Sequence, residues 1–216
     1  MRAGVCVVVA AVLAAATACG TDGGEAVPGD AAAGAAYEER QEVLAPVSAL
    51  PDGVEVTAEG APESATGDDG VEYDYRGAVI SVLELHSALL RGLHSEGKDE
   101  DALEWTVEGG DAHSYVRDRL DEAADSGAAP VGEYVFRDFE VGAFAPDLVQ
   151  VDVCLDQSGV RLSTIGEGGE QDGHDVSGSD LLWMGYTMER GPGGTWVADT
   201  ILADPADDAP EGACSA

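Results

Sequence analysis

Leu148-Val149-Gln150-Val151-Asp152-Val153-Cys154-Leu155 is the stretch that decides the fold class. Val149, Val151, Val153 and Leu155 fall on one face and Gln150, Asp152 and Cys154 on the other, the period of two that marks a half-buried strand. Just upstream, Val131 to Ala143 is rich in aromatic and β-branched residues and reads as a second strand. Downstream, Val160 to Ile165 is a short strand, the polar, Gly-rich run Gly166 to Ser179 an exposed loop, and Leu181 to Glu189 a strand carrying Trp183, Tyr186 and Met188. Pro192-Gly193-Gly194 turns the chain into a last strand, Thr195 to Leu202.

Before Pro130 the period is different. From Gly77 to Leu93, Val79, Val82, Leu83, Leu89, Leu90 and Leu93 recur at helical spacing, with His86 on the same face. A shorter helical piece covers Asp101 to Val107, and a third helix runs from Asp111 to about Ala124, with Asp111 as candidate N-cap and Ser126-Gly127 as the stop. Helices followed by an antiparallel meander predict an α+β domain over residues 71–216.

The N-terminus reads as an export signal. Arg2 precedes an unbroken apolar run from Val5 to Ala16, and Ala16-Thr17-Ala18 supply the small residues of a cleavage site. The run is too short for a membrane span, which needs roughly 20 residues. Cys19 directly after the small residues makes the segment resemble the lipobox of bacterial lipoproteins, which implies acylation of the Cys19 thiol and removal of residues 1–18. Residues 19–70, rich in Gly, Ala, Asp and Pro with no sustained apolar period, are expected to form a flexible acidic tether. As flexible coil, such a length spans on the order of 40 Å.

Charge narrows the partners. A formal net charge of −33, with Lys98 the single lysine, repels phosphate backbones and excludes nucleic acid. It also repels anionic lipid headgroups, so contact with a membrane is expected through acyl chains. Two cysteines follow Cys19, namely Cys154 and Cys214, and in an exported, oxidising compartment they are expected to pair as a disulfide. Metal ligation is the rival reading, without the paired spacing that zinc sites show.

The chain resembles small lipoproteins of high-GC Gram-positive bacteria whose domain is similar to the nuclear transport factor 2-like, or cystatin-like, cone. Tyr75-Arg76-Gly77, Val151-Asp152-Val153-Cys154-Leu155-Asp156-Gln157-Ser158-Gly159, Trp196-Val197 and Cys214 carry the resemblance. It implies a curved antiparallel sheet wrapped around the long helix, a pocket at one end, and a cysteine pair joining the central strand to the tail. It implies no activity.

Some cones of this kind are enzymes with a buried Asp, Tyr or His in the pocket. His86, Trp105 and Tyr115 are the candidate pocket residues here, with Asp152 expected to point to the opposite face from the valines. No nucleophile elbow, HExxH, phosphate loop or dinucleotide fingerprint occurs, so no catalytic residue and no cofactor are assigned. Asp172, His174, Asp175 and Asp180 lack the ordered spacing of a calcium loop and are expected to be solvated. The expected function is a membrane-anchored extracytoplasmic module that binds a small hydrophobic ligand or an envelope protein without catalysis. A small isomerase or dehydratase and a structural or stress-related envelope protein are the alternatives. A ligand-sized pocket holding a buried acid or histidine favours the enzyme, and a pocket filled by side chains favours protein interaction.

Overall fold

The computed structural model describes residues 46, 48–62, 65–66, 72–164, 174–175, 180–210 and 213–214. The export signal, Cys19 and most of the acidic loop at 166–179, Asp172 included, lie outside the described residues. In chain order come β1 (Val54–Ala58), β2 (Ala65–Thr66), β3 (Glu72–Tyr73), α1 (Tyr75–His94), a 3-10 turn (Asp101–Trp105), α2 (Asp111–Ser126), β4 (Ala128–Ala145), β5 (Leu148–Asp156), β6 (Arg161–Thr164), β7 (His174–Asp175), β8 (Leu181–Arg190) and β9 (Trp196–Pro205).

The α+β expectation holds: two α-helices lie among the described residues with a seven-stranded, mostly antiparallel sheet ordered β7-β6-β4-β5-β8-β9, the seventh strand, β1, pairing with β4 off this path. β5 is its centre, paired with β4 on one side and β8 on the other. Its alternation is realised as read, since Val149, Val151, Val153 and Leu155 are all buried. Register extends that dry face across neighbours, with Val151 opposite both Val141 and Tyr186, and Tyr186 opposite Ile201. The face is closed by α1, whose Ala78, Val79, Val82, Leu83, Leu85, Leu89 and Leu90 are buried in the same core. Each such aliphatic side chain removed from water contributes about 1.5–3 kcal/mol.

Two expectations need correction. The stretch 19–70 is not tether throughout, because Val54–Ala58 forms β1, with Val54, Val56 and Ala58 buried and Glu55 exposed. β1 runs parallel to β4, Val54 beside Gly132 and Ala58 beside Phe136, so the sheet is not wholly antiparallel. Five alternating residues among turn formers are a faint signal, and their partner lies far along the chain. The Ser48 N–H donates to the buried Glu84 carboxylate of α1, at 3.3 Å, so ordered chain begins earlier still. The second correction concerns α2, whose N-cap is Gly110, with Asp111 as the first helical residue. There the Asp111 carboxylate still complements the positive end of the helix dipole.

The N-terminus of α1 is tied to the far edge of the sheet. The Asp74 carboxylate caps the helix by accepting from Gly77 N–H at 2.9 Å, and its other oxygen accepts from the Trp196 indole at 3.4 Å. Arg190 lies 3.7 Å from the same oxygen and 5.5 Å above the Trp196 ring. Opposite, Cys154 on the outer face of β5 is bonded to Cys214, 60 residues on. Closing a loop of that length contributes roughly 4 kcal/mol in the chain-entropy model.

β4 changes partner along its length, pairing β6 over Ala128–Val131 and then β1 from Gly132 onward. At the change Gly132 has φ +129°, and a Cβ there would stand 2.3 Å from the Gly159 carbonyl oxygen. Only glycine fits both conditions. Gly132→Ala is expected to lower unfolding free energy by about 2 kcal/mol or more through backbone strain, read as a lower denaturation midpoint with an unchanged slope.

Candidate functional site

Two helices do not cover the whole dry face of the sheet. Between α1, α2 and the strands is a cavity of about 470 Å³, within the range of small-molecule sites. α1 contributes Leu85, His86, Leu89, Leu90 and Leu93, which recur at the spacing of one helix face. The sheet contributes Tyr134, Leu155, Met184, Tyr186 and Ile201 from inward-facing positions of four strands. From α2 come Tyr115, Arg119, Glu122, Ala123 and Ser126, again one face, and Ala128, Pro130, Gln157, Leu162 and Leu182 complete the described wall.

Polarity is graded across this lining. The buried part is aliphatic, interrupted by His86, Tyr134 and Tyr186. Exposed Arg119 and Glu122 mark the mouth and pair with each other at 2.6 Å. Nearby, His94 at the end of α1 donates from Nε2 to the Pro130 carbonyl at 2.7 Å, fixing the helix to β4 beside the cavity.

His86 is the polar centre. Tyr134 and Phe136 meet its ring edge-on, each with centroids 5.0 Å away. Nε2 is sealed from water and has no hydrogen-bond partner among the described residues. Burial disfavours the imidazolium and lowers the pKa from 6.5 to about 4, so the ring is neutral at pH 7. Burial likewise raises the phenols of Tyr134 and Tyr186 well above their usual range, the effect on Tyr134 being offset in part by Arg119.

Of the three residues expected to line a pocket, the structure brings His86 and Tyr115 together at the cavity. Trp105 is not in the lining. It ends the 3-10 turn and packs, half-buried, against the core, where Thr106 bridges to Ala198 of β9. Asp152 lies on the outer face as expected, accepting from Gln150 Nε2 at 3.0 Å and bordering a second hollow with Asp138, Glu140 and Trp183. Sequence reading missed Tyr134, Tyr186 and Arg119. The tyrosines have a legible signal, since each shares strand parity with a buried neighbour, Phe136 and Met184. Arg119 has none, because its α2 face is polar in sequence and gains meaning only from the gap it borders. Among the described residues no cluster of His, Cys, Asp and Glu is arranged to hold a metal ion, and no helix is long and apolar enough to cross a membrane.

No family model and no curated protein matches the chain. Among solved structures, a candidate scytalone dehydratase from Novosphingobium aromaticivorans is similar at a TM-score of 0.33 and 7% identity, over 63% of this chain and 95% of that one. A likeness this loose carries no functional argument.

His86 makes stability depend on pH. Its folded pKa of about 4 lies below the unfolded value of 6.5, so the unfolded chain takes up the proton first. Stability therefore falls as pH drops below about 6.5 and the loss levels off near pH 4. It amounts to at most about 3 kcal/mol. Denaturation curves of wild type and His86→Leu are expected to diverge over this interval, the variant lacking that part of the acid sensitivity.

Proposed function

We propose that this chain is a lipid-anchored extracytoplasmic protein whose domain, a cone of the nuclear transport factor 2-like kind, holds a small, largely apolar ligand in the His86 cavity. The cavity carries the reading: it is ligand-sized, lined mainly by apolar side chains, and contains a few convergent polar groups. The long helix packed on a mostly antiparallel sheet supports the cone, and the Cys154–Cys214 bond fits an oxidising compartment. The lipobox-like segment ending at Cys19 supports the anchor.

A histidine in a ligand-sized cavity also supports the isomerase or dehydratase reading. Its pKa weighs against leading with catalysis. A general base works best with a pKa near the working pH, whereas His86 is held near 4 and the two buried phenols are far too weakly acidic to ionise. The carboxylate in the lining, Glu122, sits exposed at the mouth in its ion pair. These groups suit hydrogen bonding better than proton abstraction.

The domain is expected to bind one equivalent of N-phenyl-1-naphthylamine, an uncharged apolar probe, with saturable fluorescence enhancement. Leu93→Trp, which places a large side chain in the cavity wall, is expected to weaken that binding at least tenfold. Equal binding by the variant, or no saturable binding by the wild type, would sink the ligand reading. For the anchor, full-length protein made in a lipoprotein-processing bacterium is expected to partition into detergent and carry acyl mass on Cys19. Cys19→Ala is expected to move it to the aqueous phase, and an unacylated wild-type protein overturns the anchor.

A further inference from the structure

The cavity's ionisable groups determine the charge of what it accepts. Three rings of its lining are neutral at pH 7: His86 because burial opposes its protonation, Tyr134 and Tyr186 because burial opposes their ionisation. The two charged side chains of the lining, Arg119 and Glu122, already meet each other at the mouth. An ion carried inside would give up its hydration and find no opposite charge among the described lining residues beyond the Arg119–Glu122 pair at the mouth, a cost that neutral hydrogen bonds only partly offset. Approach adds a second bias against anions, because the chain carries a formal charge of −33.

Resting on the ligand-binding reading above, we propose that the cavity selects uncharged molecules with an apolar body and a hydrogen-bonding group, and rejects carboxylates and amines of the same shape. Among the described lining residues, Arg119 is the one able to reverse this for an anion, by exchanging Glu122 for a ligand carboxylate. That exchange gives up the Arg119–Glu122 contact and replaces a covalently tethered neighbour with a molecule that must first be immobilised. A ligand amine would be drawn towards the acidic surface, yet inside it meets Leu85, Leu89 and Leu155 in place of a carboxylate.

Calorimetric titration of the full-length protein at pH 7 with one ring skeleton in four forms tests this: 2-ethylnaphthalene, 2-naphthol, 2-naphthoate and 2-naphthylmethylammonium. Both ions are expected to bind at least tenfold more weakly than 2-naphthol, and this order is expected to persist in Arg119→Gln. Either ion binding within tenfold of 2-naphthol overturns the inference. Naphthoate binding that Arg119→Gln abolishes overturns it in a specific way, by making the mouth arginine an anion anchor. In both cases the ligand reading survives, since the cavity is occupied. If no member of the series binds and N-phenyl-1-naphthylamine does not either, the ligand reading itself falls, and this inference with it.

Discussion

The dry face of β5 has to be covered, and most of the molecule follows from that. Four apolar side chains at period two cannot face water without losing the burial that stabilises a domain of this size. α1 provides the cover, and to lie there it needs its own apolar stripe in phase with the strand. Capping by Asp74, with Trp196 and Arg190 on the same carboxylate, fixes one end of the helix to the sheet. The His94 contact with Pro130 fixes the other. Between those two ties the helix has little freedom to slide.

A straight helix against a twisted sheet leaves a gap on one side. α2 leans over that gap and does not fill it, because the face it turns there carries Tyr115, Arg119 and Ser126 in place of leucines. The cavity is thus a property of how three surfaces meet. His86 belongs to the stripe that packs α1, and its ring falls where the packing ends. Its depressed pKa has the same origin as the stability of the helix, since one act of burial produces both.

Elements whose partners are near in sequence, or whose periodicity is long, were legible in the chain. α1, α2 and β5 belong to this class, as do the strands joined by short turns. β1 was not legible, because five alternating residues gain their meaning from β4, which lies beyond two helices. The same cause hid most of the site. His86 and Tyr115 stood out as polar-tipped residues on apolar faces, whereas Arg119 and Gln157 are ordinary surface residues until the fold sets them around an opening. Trp105 misled for the converse reason, since aromatic bulk signals burial without saying which compartment it fills.

β1 also defines how force would enter the domain. Among the described residues, a pull from the N-terminal side first meets the Ser48 contact with Glu84, and then a five-residue parallel ladder on β4. When the load runs along the strand, the bonds of that ladder share it in shear and do not open one at a time. The ladder joins β4 at Gly132, remote in sequence from the β8–β9 edge. Tension would therefore be held at a mechanical clamp on β4 once the single Ser48 bond to α1 had given way.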